Sequence, residues 1–145
     1  MTKFKAILGL LMAVVVVVGG VAFGAPQASA TRGPIVISYE KTCVGGVCDG
    51  TAGHDGTIHM EITDFQPTSW GAEVAFTERI EVGRISFTAE MKGRLFNQAA
   101  IIVLSGKVTE GPFEGARVLQ MSKRVGPDGP TTEWTGNLLL LPAIR

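Results

Sequence analysis

The densest group of side chains able to hold a metal or move a proton is His54, Asp55, His59 and Glu61. On an extended strand His59 and Glu61 share a face, about 7 Å apart by the strand rise. His54 lies in a glycine-rich run that can fold back toward them. Imidazole with carboxylate suits a transition metal, but the spacing matches no recognised ligand motif. A solvated strand face with a loop histidine is the plainer reading, and no metal or other cofactor is expected. Nucleophilic catalysis has less to work with. Of Ser38, Ser69, Ser86, Ser105 and Ser122, none stands in a Gly-x-Ser-x-Gly elbow. Two carboxylates could meet as a glycosidase pair, yet nothing selects a pair. Gly50, Gly53 and Gly56 have the spacing of a phosphate-binding loop, without the preceding parallel strand, the following helix or the lysine that such a loop needs. No catalytic residue is assigned.

Trp70 and Trp134 are the only tryptophans. Trp134 opens a strand and Trp70 precedes one, so in a barrel both stand near a mouth. There they either plug a core end or line a pocket for a small apolar ligand. Glu78 interrupts an otherwise apolar strand face; it either lines the interior or marks a nearby bulge. Trp70, Glu78 and Trp134 are the candidate ligand-binding residues.

The elements that position these groups begin after an export signal. Lys3 and Lys5 precede an apolar run from Ala6 to Phe23, then Gly24-Ala25-Pro26 and the small-residue site Ala28-Ser29-Ala30. This order describes a secretory signal peptide, residues 1–30, cleaved after Ala30. The alternative is an uncleaved anchor, but the run is near the lower length limit for spanning and Gly19-Gly20 interrupts it. The mature residues 31–145 suit one domain in an extracytoplasmic or secreted location, with no stable membrane insertion after cleavage. The chain has 13 basic and 13 acidic residues, and loss of Lys3 and Lys5 leaves a net charge of −2. No basic patch invites nucleic acid. Cys43 and Cys48 are the only cysteines. Export favours a disulfide between them; the alternative is half of a metal site, with only His54 and His59 to complete it.

Alternation dominates what remains. Ile35, Ile37 and Tyr39 share a strand face, as do Ile58, Met60 and Ile62, then Ala72, Val74 and Phe76, then Ile85, Phe87, Ala89 and Met91. Residues 49–56 read as a weak strand, a bulged edge or a loop. The run from Ala99 to Leu104 and the end of the last strand, Leu138 to Leu141, are apolar on both faces. Strands of that kind are expected to be covered on both sides. No mature stretch has a sustained period of 3.6, so no helix is expected there. Short turns join seven or eight strands, which implies an antiparallel meander. Closure into a barrel removes the edges, and a β-sandwich is the alternative.

The turn Gly111-Pro112-Phe113-Glu114-Gly115-Ala116 lies between two of these strands. Strand, Gly-x-Phe-x-Gly-Ala, strand resembles a signature of the allene oxide cyclase and dirigent type of β-barrel, with Gly111, Phe113 and Gly115 as the motif. The chain departs from that pattern at Pro112, where the families have a flexible residue, and at Arg117-Val118, where a further glycine usually follows. It is also similar to small, uncharacterised exported bacterial proteins with a comparable turn and a final Trp/Phe-x-Gly strand. The resemblance implies an antiparallel barrel with an apolar interior and carries over no catalytic residue. Three functions follow as expectations. The first is non-catalytic binding of a small apolar ligand or a surface partner. The second is a cyclase or isomerase using inward polar groups such as Glu78, Gln120 or Asn137. The third is a structural cell-envelope protein with a filled interior and an exposed apolar patch.

Overall fold

A computed structural model of the protein describes residues 33–142; the signal-peptide segment lies outside the described residues. Eight antiparallel strands follow one another in chain order and close on themselves. They are β1 (Ile35–Val44), β2 (Val47–Ala52), β3 (Gly56–Pro67), β4 (Gly71–Val82), β5 (Ile85–Phe96), β6 (Ile101–Glu110), β7 (Arg117–Val125) and β8 (Thr131–Leu141). The seam is a long β1–β8 ladder running from Ile35 opposite Leu140 to Val44 opposite Thr131. Among the described residues there is no helix. The alternation turns Ile37, Ile58, Ile80, Phe87, Leu104 and Leu138 into the lumen, where each is at most 3 % exposed. Closure satisfies the backbone groups that a sandwich would leave along its edges.

Residues 49–52, open between three readings in the sequence, belong to β2. The strand is short and polar, but β1 and β3 pair with it on both sides. Gly50 permits the close approach: a Cβ there would lie 1.8 Å from the Glu40 carbonyl oxygen. Gly93, Gly106 and Gly136 sit on the lumen side of β5, β6 and β8, and each likewise presses against the backbone of its neighbour. Glycine at such positions lets a sheet bend sharply enough to close. Gly93→Ala would set its methyl 1.8 Å from the Val103 carbonyl oxygen. We expect it to lower stability by about 3 kcal/mol in urea titration; an unchanged midpoint would contradict this account of the bend.

The irregularity prompted by Glu78 in the sequence falls elsewhere. The register of β3 on β4 shifts between Ile62 and Asp64, while Glu78 pairs regularly with Met60 and with Ala89. The strand runs on through Asp64-Phe65-Gln66-Pro67, and the turn to β4 follows it.

Alternation of strand direction gives the barrel two ends. The β6–β7 turn marks one of them. There Gly111 and Gly115 have φ of 110° and 88°, as few other residues would tolerate. Phe113 packs against the core between them and Ala116 is 1 % exposed beneath. The opposite end carries the β1–β2 hairpin, pinned by the Cys43–Cys48 disulfide between directly paired residues. Replacing both cysteines by alanine is expected to reduce stability by about 2 kcal/mol, the chain-entropy value for so small a loop. A urea titration of the double variant that matches the parent would refute that.

Candidate functional site

The barrel interior is not uniformly apolar. The β1 parity that buries Ile37 also turns Tyr39 and Lys41 inward, β4 contributes Glu78, and β7 contributes Gln120 and Ser122. All five are at most 3 % exposed. With the Gln120 amide oriented so that its NH2 faces the carboxylate, that nitrogen lies 2.5 and 3.2 Å from the two Glu78 oxygens. Its carbonyl oxygen then accepts from the Tyr39 hydroxyl at 2.9 Å. Gly136 makes room for that hydroxyl, which would be 2.6 Å from a Cβ there. Ser122 Oγ bears on the ionisation of Tyr39, yet it is buried without a hydrogen bond of acceptable geometry. The Lys41 ammonium lies 3.0 Å from Met60 Sδ and 5.2 Å from the Tyr39 ring centroid. Among the described residues no salt bridge within 4.0 Å joins Lys41 to Glu78.

Burial dominates the electrostatics. It pushes the Glu78 carboxyl up to about 7, against the attraction of Lys41. It pulls the Lys41 ammonium down to about 8, against the attraction of Glu78. The Tyr39 hydroxyl is driven far above its ordinary range, again chiefly by burial. A carboxyl and an amine held near neutrality are the equipment of proton transfer. Chemistry also requires space, and Glu78 and Met60 have no exposed surface at all. A void wide enough for a water molecule would expose them. The cluster is a polar core, closed around Glu78 and Met60, with Lys41 bordering the cleft that runs over β1.

The disulfide end is different. Among the described residues five large apolar side chains remain exposed: Val44, Val47, Phe65, Trp70 and Val125. Val44 and Val47 flank the β1–β2 turn, Phe65 nears the end of β3, Trp70 sits in the β3–β4 turn and Val125 ends β7. All five therefore border this one end. The register shift in β3 sets Phe65 opposite inward-facing Val74, at the lip of the mouth, where it is still 49 % exposed. Trp70 is 38 % exposed. It lies against Phe96, with ring centroids 5.4 Å apart, and the Arg94 guanidinium stacks 5.6 Å from its ring centre.

On the outer wall, His59 Nδ1 lies 2.5 Å from Asp49 and Nε2 lies 3.2 Å from Glu61. Hydrogen bonding to Asp49, then to Glu61, raises the imidazole pKa. His54 stands apart in the β2–β3 turn. No group of three His, Cys, Asp or Glu among the described residues is arranged to hold a metal ion. Beside Asp49 a cleft of about 360 Å³ runs over β1, with Glu40, Thr42, Thr51, Glu133 and Thr135 along it.

The structure thus does not bring the three sequence-derived ligand candidates to one site. Trp70 is on the rim, Glu78 is sealed in the lumen, and Trp134 is 6 % exposed, plugging the disulfide end from within while its indole N–H donates to Thr132 Oγ1 at 2.9 Å. Gln120 faces inward as expected. Asn137 does not: it faces outward and accepts a hydrogen bond from Ser38 at 2.8 Å, because β8 alternates from inward Gly136 to inward Leu138. Lys41 escaped sequence reasoning. Continuing the Ile35-Ile37-Tyr39 parity by two residues would have found it, but lysine on a core face runs against expectation. Compared with family models, curated proteins and solved structures, the chain has no match.

Proposed function

We propose that this protein is an exported, non-catalytic binding barrel that engages an apolar partner or a small apolar ligand through its disulfide end. One observation carries the proposal: the exposed large apolar residues of the described chain all border that end. Exposed apolar side chains of this kind, two of them aromatic, are a common anchor for association. The disulfide is consistent with an extracytoplasmic protein, and the N-terminal sequence pattern supports export with cleavage after Ala30. The turn resemblance to cyclase-type barrels brings a second reading, lumen chemistry at Glu78. The complete burial of that carboxylate weighs against it.

Emission from Trp70 tests the proposal. In a Trp134→Phe background, Trp70 is the sole tryptophan reporter. Titration with the apolar probe anilinonaphthalene sulfonate is expected to shift its emission to the blue and enhance probe fluorescence. A Phe65→Ser/Trp70→Ala variant of the parent is expected to lose at least about tenfold in probe affinity, equivalent to about 1.4 kcal/mol. Emission and affinity indifferent to these changes would place binding elsewhere.

A further inference from the structure

The connections at the two ends of the barrel differ in charge. At the disulfide end they are Gly45-Gly46, Thr68 to Trp70, Asn97 to Ala100 and Gly126 to Pro130. Asp128 is the one ionisable residue among them. Its carboxylate accepts from the Gly129 N–H at 2.9 Å and lies 3.7 Å from the Arg124 guanidinium. At the opposite end every connection carries an ionisable side chain: His54 and Asp55, then Arg84, then Glu114. Prolines also gather at the disulfide end, where Pro67, Pro127 and Pro130 are exposed. A proline has no N–H to leave unpaired when water is withdrawn.

The exposed apolar side chains are spread around this end. Val44 and Val47 come from the β1–β2 hairpin, Phe65 and Trp70 from the end of β3 and its turn, and Val125 from the end of β7. In a closed ring of eight strands the β3–β4 and β7–β8 connections face each other across the mouth. Trp134 stops the lumen between them, so the anchors ring a closed end.

We propose that this end adsorbs to the surface of a lipid bilayer, with its tips in the headgroup region. The proposal rests on the reading that the disulfide end is the binding end, and it names what is bound. A protein partner concentrates its contact on a packed central cluster. A bilayer accepts separate anchors at one level without matching their outline. Tips without charge avoid the cost of carrying ions out of water. Tryptophan suits the interface, where its ring meets lipid and its N–H meets water. The Arg94 guanidinium, stacked 5.6 Å from the Trp70 ring centre, stands on the wall behind that tip, where a headgroup phosphate would lie. Exposed charges on the wall near this end are of both signs: Asp64, Glu73 and Glu133 stand with Arg94 and Lys123. Attraction to anionic lipid is therefore not what holds the barrel. Adsorption is reversible, to the depth of an interfacial segment at ~5–10 Å, and spans nothing.

The test sediments phosphatidylcholine vesicles with the protein, expressed from the full-length sequence and purified as it accumulates. Co-sedimentation is expected, and about 0.5 M salt should change the affinity less than about twofold, since it screens only charge. In the Trp134→Phe chain, Trp70 emission is expected to move to the blue on vesicles and to be quenched by phosphatidylcholine brominated on its acyl chains. Val44→Asp/Val125→Gln alters two tips and leaves Phe65 and Trp70 in place. It is expected to bind vesicles at least about tenfold more weakly, equivalent to about 1.4 kcal/mol. Its circular dichroism should stay β-type, because the two valines are 55 % and 50 % exposed. A chain left in the supernatant overturns the proposal, as does binding that needs anionic lipid and disappears in salt. So does a Trp70 that the brominated lipid leaves unquenched, or binding unchanged in the tip variant, as when residues 1–32 carry it. A chain whose Trp70 answers to anilinonaphthalene sulfonate but which ignores vesicles strikes out the bilayer alone and leaves the binding end to a soluble apolar ligand or protein. A chain that answers to neither strikes out both.

Discussion

The double variant Lys41→Met/Glu78→Gln is expected to be more stable than the parent near pH 7.5, by about 3 kcal/mol, and to lose the pH dependence that the pair imposes. Both groups are ionised where almost none of their surface meets water, without a salt bridge within 4.0 Å to offset the desolvation. Replacement of such a pair by residues of similar volume removes the penalty. Methionine keeps the lysine stem, and the amide carbonyl introduced in place of the Glu78 carboxylate can still accept from Gln120. The sign of the pH effect follows from the two displacements. Glu78 is raised from 4.5 to about 7, so the stability it permits is complete below 4.5 and lost as pH rises to about 7. Lys41 is lowered from 10.5 to about 8, so the stability it permits is complete above 10.5 and lost as pH falls to about 8. The pair therefore imposes a minimum between about 7 and about 8. Tyr39, displaced upward from 10.0, opposes the alkaline recovery above pH 10. Urea titrations from about pH 4.5 to about pH 9.5 should show a trough in the parent and a flatter curve in the double variant. Each single variant should fare worse than the double near pH 7.5, because it strands one buried charge. A double variant less stable than the parent would mean that the pair is worth more than its desolvation.

The barrel was legible because its evidence is periodic. Alternation at Ile58-Met60-Ile62 and at Ile85-Phe87-Ala89-Met91 names the lumen face without any knowledge of partners. Positive-φ glycines at 111 and 115 account for the turn motif between β6 and β7. Other features were hidden by the same logic. β2 carries too much glycine and too little apolar matter to announce itself, yet those glycines are what let β1 and β3 close on it. Lys41 and Glu78 sit on parities that the pattern assigns to the core, where charge is least expected. The two-sided apolar strands, expected to lie centrally, have no centre to occupy in a closed ring. Their outer residues Leu119, Met121 and Leu139 face away from the chain's own core. A linear pattern records that a strand is apolar on both faces; it does not record what lies against the outer one.

Gln120→Leu should be strongly damaging although it leaves both charges in place, and its effect should depend on pH. Gln120 is the neutral link between Glu78 and the Tyr39 hydroxyl, donating to one and accepting from the other. Leucine fills the volume and does neither. Near pH 7.5 the carboxylate is left without that donor at zero exposure, a loss expected to be about 3 kcal/mol. At pH 4.5 Glu78 is protonated in the fold, because burial holds its pKa well above that of an exposed carboxyl. The missing donor then matters less, and the loss should shrink to about 1 kcal/mol, the value of the remaining neutral hydrogen bond to Tyr39. In the Lys41→Met/Glu78→Gln background the same substitution should cost no more near pH 7.5 than near pH 4.5, since no lumen carboxylate remains. Equal losses at the two pH values in the parent would show that Gln120 serves only as packing, and that Glu78 is solvated by some other group.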